Sequence, residues 1–361
     1  MGRSAAVRGA LAALAAAVCA PAPARAHIVY SGPTLQQLVT TAEVVARARI
    51  AGPASLAVGA AGERRAVIEA ELLDVWKGGL AKGRVRFAQH GHGVAPFEAG
   101  DEAIVFLQPI ARSAELRAVA GSVDWVSLQE HDDEWQLAPD SRAAVADAVQ
   151  GYVALAGVAD PERSLAGRRQ LTLELLTGAE PRLAASALQD LVRAGDVPLV
   201  RAEDLPALAP LLEDARAPIG LRAGVLAELQ RRGLVRGEAA WLKLIDGARP
   251  ADRPAALRAA GAHAGPQVIA RLVQALDGDD AASAEAAAVA LGIPGNAAGV
   301  QPLARALQQG DARLRGAAIR GLGRIGVPEA RSVLERAANT HADADTRRRA
   351  AAELRVLAGE T

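Results

Sequence analysis

The chain predicts a multidomain α+β protein: a small antiparallel β-barrel followed by an α-solenoid of helical repeats. Three observations carry this. Apolar and small residues recur every 31 positions in the C-terminal half. Short β-branched runs separated by turn residues fill the region before about residue 138. Hydrophobic residues make up 51% of the 361-residue chain but aromatics only 2%, so its core is Ala, Leu and Val, which suits close helix packing.

The first 26 residues read as a secretory signal. Arg3 and Arg8 form a basic region, and Ala10 to Ala20 an apolar stretch shorter than the roughly 20 residues of a membrane span. Ala24-Arg25-Ala26 fits a cleavage site, which makes His27 the mature N-terminus. The leader and the Ala- and Arg-rich composition point to a bacterial protein that is periplasmic or secreted. The lone cysteine, Cys19, falls within the leader, so the mature chain has no disulfide, thiol nucleophile or thiolate metal site. No later segment is apolar for long enough to span a membrane. The formal net charge is zero, and about −3 without Arg3, Arg8 and Arg25. That gives no electrostatic case for nucleic acid.

Residues 27–138 form the β-rich domain. A helix is expected over Thr34 to Thr41, after Pro33. Strand runs follow at Val44–Ile50, Ala66–Trp76, Val85–Ala88 and Ala103–Leu107, with weaker ones at Leu116–Ala120 and Trp125–Leu128. Glu43 to Ile50, the Val75-Trp76-Lys77-Gly78 end of the long strand, and Phe97 to Leu107 together resemble the OB-type barrel of bacterial exported proteins. That barrel is similar in outline to the netrin-like domain of metalloproteinase inhibitors. The inhibitors rely on an N-terminal Cys where this chain offers His27, so protease inhibition is not implied.

Residues 141–361 are expected to be helical, beginning with Ser141 as an N-cap. Val225, Ala256, Ala287 and Ala318 share one helical position, and Leu229, Ala260, Leu291 and Leu322 another. Gly261, Gly292 and Gly323 follow directly, where that helix is expected to end. Ile245, Leu276 and Leu307 mark the second helix, and the last unit slips by one residue, Leu322 being answered by Leu354. Such a period means stacked helical pairs sharing one core. The unit Asp311-x-x-x-Arg315-x-x-Ala318-x-x-x-Leu322-Gly323-x-Ile325-Gly326-x-Pro328-Glu329-Ala330 resembles the short HEAT-like repeats named after phycobilisome lyase subunits. The resemblance implies an α-solenoid that binds proteins. It is not carried over to bilin chemistry.

Lys243, Gln274, Arg305 and Arg336 form a ladder at 31-residue spacing in the second helices. Arg305 lies midway between Leu303 and Leu307, so it points away from the core. By the HEAT resemblance, second helices line the concave face. A mostly basic stripe there suits another protein with an acidic surface. Solvated polar positions would give the same pattern. The rival reading is a copper-binding envelope protein. The α-amine and imidazole of His27, joined by His90 or His92, would give Cu(II) nitrogen ligands. A third is that the β-domain caps the solenoid end.

No nucleophile elbow, phosphate loop or His-Glu-x-x-His motif is present in the sequence, so no enzymatic activity is expected. Asp279-Asp280 is read as a helix cap. Arg231, Arg232 and Arg236, and Arg347 to Arg349, are read as solvated faces neutralised by neighbouring acids, and His131, His263 and His341 as surface or capping residues.

Overall fold

The computed structural model describes residues 32–52, 55–58, 64–90, 97–120, 123–130 and 135–359. They fall into two compact units that part between Leu211 and Leu212. The expected leader, His27 and His92 lie outside the described residues, and so does the side chain of His90.

The first unit opens with helix α1, Leu35–Thr41. Thr34 caps it: its hydroxyl accepts from Gln37 N at 3.2 Å, and Gln37 Oε1 accepts from Thr34 N at 3.0 Å. Strands β1 (Val44–Ile50), β2 (Ser55–Val58), β3 (Arg64–Lys77), β4 (Gly83–His90) and β5 (Glu102–Pro109) follow. Helix α2 (Ala114–Ala120) precedes β6 (Trp125–Glu130) and the short β7 (Trp135–Gln136). The sheet order β1-β3-β4-β6-β5 closes through β1–β5 pairing into a five-stranded barrel. The β4–β6 contact is parallel, whereas β1–β3, β3–β4, β5–β6 and β1–β5 are antiparallel. Alternate residues fill it: Val44, Ala46, Ala48 and Ile50 from β1, Ile68, Ala70 and Leu72 from β3, Phe87 from β4, and Val105 and Leu107 from β5.

The stretch Leu116–Ala120, expected as a strand, is part of α2. Its few apolar residues fit a single helical turn as well as a strand, and periodicity cannot separate the two over so short a run. The Val-Trp-Lys-Gly end of β3 has a clear physical role. Lys77 Nζ donates to Val39 O at 2.7 Å and Thr40 O at 3.1 Å, closing the C-terminus of α1. Gly78 has φ +93°, and a side chain there would strike the carbonyl of Glu43.

Helices α3 (Arg142–Ala156), α4 (Pro161–Thr177) and α5 (Pro181–Arg193) complete this unit, with α6 (Leu205–Glu213) at its end. Ser141 makes no side-chain cap bond to α3; its hydroxyl donates to Ala138 O at 3.4 Å. A buried polar cluster ties α1 to α3 and α5. Leu35 N donates to Ser186 Oγ at 2.9 Å, and Tyr152 OH donates to Asp190 Oδ2 at 3.1 Å. Burial pushes the Asp190 carboxyl up to about 6, against the opposing bonds from Thr34 and Tyr152 and the charges of Arg193 and Arg168.

The second unit alternates first helices α7 (Ile219–Arg231), α9 (Arg253–Gly261), α11 (Ala281–Leu291), α13 (Ala312–Ile325) and α15 (Ala344–Ala358) with second helices α8 (Ala239–Asp246), α10 (Pro266–Leu276), α12 (Val300–Gln309) and α14 (Pro328–Thr340). Each first helix packs on the next one in the chain. The positions of the 31-residue period are buried: Val225, Ala256, Ala287 and Ala318 are all 0% exposed, as are Leu229, Ala260, Leu291 and Leu322. They belong to one continuous core of this unit, or, at Val225 and Leu229, adjoin it in α7. The cap also repeats. Asp280, Asp311 and Asp343 accept from backbone N–H groups at the starts of α11, α13 and α15. Bonds from Thr346 hold the Asp343 carboxyl down at about 2.

Helix α9 ends at Gly261 and Gly292 caps α11, as expected, but none of the glycines at 261, 292 and 323 has positive φ, so none is a stop of the left-handed kind. Gly323 lies inside α13, which ends at Gly326 with φ +69°. Their role is close approach. A methyl group on Gly261 would sit 2.7 Å from Ala290 Cβ, and one on Gly292 would sit 2.7 Å from Gly321 Cα. On Gly323 it would overlap the Glu353 carboxylate.

Two expectations follow. Gly→Ala inside a helix ordinarily stabilises by about 1 kcal/mol. At Gly321 the new methyl would meet Ala288 O at 2.8 Å, so overpacking of about 1–3 kcal/mol outweighs propensity and Gly321→Ala lowers the denaturation midpoint. At Gly316 the nearest atoms are the mobile guanidinium ends of Arg349 and Arg320, at 3.3 and 3.6 Å, so Gly316→Ala leaves the midpoint unchanged or raises it. Equal stabilisation by both would contradict the close-approach account. The second expectation concerns Asp190, which binds its proton more readily folded than unfolded. Its favourable contribution is complete below about pH 4 and lost as pH rises through about 6. Asp190→Asn stays neutral, so it should gain on wild type between pH 4 and 7 by about 3 kcal/mol at most. Urea titrations across that range measure it, and a pH-independent difference would contradict the assignment.

Candidate functional site

The second helices build the candidate site. In α8, Trp241, Leu244 and Ile245 are buried and Lys243 is exposed. In α10, Val268, Leu272 and Leu276 are buried and Gln274 is exposed. In α12, Leu303, Ala306 and Leu307 are buried around an exposed Arg305, and in α14 Val333, Leu334 and Ala337 around an exposed Arg336. The four ladder residues therefore occupy equivalent exposed positions on four helices of one unit.

The electrostatics of that face are mixed. Arg271 on α10 reaches back to Asp246 at the end of α8, with Nη2–Oδ1 at 2.7 Å and Nε–Oδ1 at 2.9 Å. Its remaining nitrogen donates to Gln274 Oε1 at 2.7 Å. Arg305 on α12 reaches back to Asp277, just past α10, at 3.3 Å. These are bridges from one repeat to the next. Sequence reasoning passed over Asp246 and Asp277, although a signal was there. Each follows its ladder residue by three positions, and the series continues at the same spacing with Gln308 and Asn339, both exposed.

The N-terminal end of α10 is closed from the preceding repeat. Glu238 accepts from Val268 N at 2.7 Å and Gln267 N at 3.2 Å, and Gly265 leaves room for its carboxylate. The basic cluster at Arg231 and Arg232 is not simply a solvated face. Both bind Glu228, at 2.6 and 2.9 Å, and the Glu228 side chain is 4% exposed. Arg348 and Arg349 pair with Asp345 at the exposed end of the chain's last helix.

The described histidines have structural roles. His341 follows α14; its Nε2 lies 3.1 Å from Leu307 O and its Nδ1 accepts from Asp343 N at 3.0 Å. The first contact needs a proton on Nε2 and the second a lone pair on Nδ1. His263 stacks on Trp241 at 4.5 Å between ring centroids. Among the described residues no group of three or more His, Cys, Asp or Glu is placed to hold a metal ion. The copper reading rests on His27, His90 and His92, whose side chains lie outside the described residues. Among the described residues no helix is long and apolar enough to cross a membrane.

Residues 285–355 match the model of HEAT repeats, so this part of the chain carries HEAT-like repeats. No curated protein matches the chain. Among solved structures, human deoxyhypusine hydroxylase in complex with glycerol is similar at 20% identity and a TM-score of 0.31, over 62% of this chain and 92% of that one. The expectation of no enzymatic activity does not stand beside this match, because the similar protein is by name an enzyme. At that score and identity the likeness carries no activity to the present chain.

The Arg305–Asp277 pair has both side chains about half exposed. Such pairs contribute roughly 0–1 kcal/mol. Asp277→Ala should therefore move the thermal midpoint by little while freeing Arg305. A destabilisation beyond about 1 kcal/mol would show that the pair is part of the packing rather than an available surface group.

Proposed function

We propose that the chain is an exported adaptor whose C-terminal unit is a HEAT-like α-solenoid. In this reading it binds another protein along the face formed by α8, α10, α12 and α14. The observation that carries this is the set of equivalent exposed positions, Lys243, Gln274, Arg305 and Arg336, on four consecutive second helices. HEAT repeats are associated with protein interaction in general, which supports the class of partner. The four rungs are three cations and an amide; Arg271 is paired with Asp246, and Arg305 is met by Asp277. A partner with acidic groups at matching intervals fits such a face.

The β-rich unit is read as an OB-type barrel. Omitting β2 and β7, its strands run first-second-third-fifth-fourth and back to the first, with the third and fifth parallel. That closed five-stranded order supports the reading. Residues 1–26 are read as a leader that directs the chain to the periplasm or outside the cell.

The test is affinity capture from the envelope fraction of the native host with a C-terminally tagged chain. Wild type is compared with a Lys243→Glu, Arg305→Glu, Arg336→Glu variant. The variant should keep its thermal midpoint, since exposed substitutions shift stability by about 0.5 kcal/mol or less, and should lose the partner at least tenfold. Equal capture by both would exclude the second-helix face.

A further inference from the structure

The first unit holds an open groove of about 520 Å³ between the barrel and α3. Its strand side is formed by Arg47, Asp74 and Trp76, and its helix side by Arg142, Ala146 and Gln150. The helix wall is low because positions 143 and 146 are both alanine. The space therefore follows from sequence: a larger residue at either position would fill it.

The charge in and beneath this groove is unbalanced. Asp74 is held by Arg47 at 2.6 Å and by Lys82 at 3.0 Å. Those two bonds keep its carboxyl below its ordinary range, so it stays ionised. Glu102 is approached by Arg49 at 3.0 Å and by Arg47 and Arg142 at 3.4 Å each. Four cationic heads thus share two carboxylates. Arg142 is the least committed of them. Its Nε has no hydrogen bond of good geometry, and its side chain is 42% exposed. Asp147, exposed on the neighbouring strip of α3, and Asp140, ahead of the helix, are further acidic groups in this segment. Neither lines the groove, so the positive excess stays at its Arg47–Arg142 end.

The dimensions select the ligand class. Arg142 and Gln150 are eight residues apart on α3, about 12 Å along its axis. That is the length of three to four extended residues. A guanidinium at one end, a side-chain amide that both donates and accepts at the other, and the half-buried indole of Trp76 across from them suit a short peptide. A single small anion would leave most of that space to water.

We propose that this groove is a binding site for an acidic peptide segment. Its carboxylate is taken by Arg142 with Arg47, its backbone is met by Gln150, and an apolar side chain rests on Trp76. The site is separate from the second-helix face and does not depend on that reading.

The test is fluorescence anisotropy with a fluorescein-labelled Glu-Glu-Leu-Glu peptide and the full chain. Three variants are run beside wild type: Arg142→Gln, Ala143→Trp, and the Lys243/Arg305/Arg336→Glu triple change. Wild type should bind saturably. Arg142→Gln should weaken binding at least fivefold by removing the cation, and Ala143→Trp, at an exposed position, by filling the groove; thermal midpoints check that both stay folded. The triple variant should keep saturable binding that Arg142→Gln, added to it, still weakens at least fivefold. No saturable binding would overturn the proposal, as would indifference to both groove variants. Loss only in the triple variant would move the acidic segment to the repeat face. Competition by inorganic phosphate as strong as by unlabelled peptide would reduce the site to a simple anion contact and overturn the peptide assignment.

Discussion

The close contact between successive first helices is the constraint on which the C-terminal unit depends. Gly261 lies against Ala290, Gly292 against Gly321, and Gly321 against the Ala288 carbonyl, at distances that leave no room for a methyl group. Around these points the helices are walled with alanine: Ala256, Ala260, Ala286, Ala287, Ala288, Ala317 and Ala318 are all buried to exposures of 0%. Small residues bring helix axes together, and dispersion between closely packed backbones replaces what larger side chains would supply. The scarcity of aromatics in the composition is the same fact seen at the level of the whole chain. With the first helices fixed in this way, each second helix takes an equivalent place, and its outward positions, the ladder among them, reach solvent at a regular interval.

The caps and bridges reinforce this arrangement. Asp280, Asp311 and Asp343 each start a first helix, and Arg315 joins units by donating to Thr346 at 3.0 Å and to the Gly310 carbonyl at 2.7 Å. Arg222 plays a similar part at the start of the unit, donating to Leu212 O at 2.9 Å from a site where burial lowers its own proton affinity. The β-rich unit relies on a different device. There Lys77 and Gly78 fix the end of β3 against α1, and the Tyr152–Asp190 bond with Ser186 fixes α1 against α3 and α5.

Much of this was legible in the sequence because the physical signal was periodic. The 31-residue spacing located the buried positions of the first helices and the ladder on the second ones, and alternation over 44–50 and 66–76 located β1 and β3. What was not legible had no period. Leu116–Ala120 was too short to distinguish helix from strand. Gly323 looked like a terminator because glycine ends helices more often than it sits inside them, and only its neighbour Glu353 shows why it is there. The groove beside α3 joins Arg47, Asp74 and Arg142 across 95 residues of sequence, and no spacing rule relates them. Asp246 and Asp277 did repeat with the ladder, but acidic residues at helix ends ordinarily read as solvated.

Hydrogen exchange on a Gly292→Leu variant tests the central claim most directly. If the first-helix contact organises the unit, a side chain forced between α11 and α13 raises exchange in both helices and in α12 between them, while the barrel strands keep their protection. Exchange raised only in the turn around residue 292, with α13 as protected as in wild type, would contradict the account.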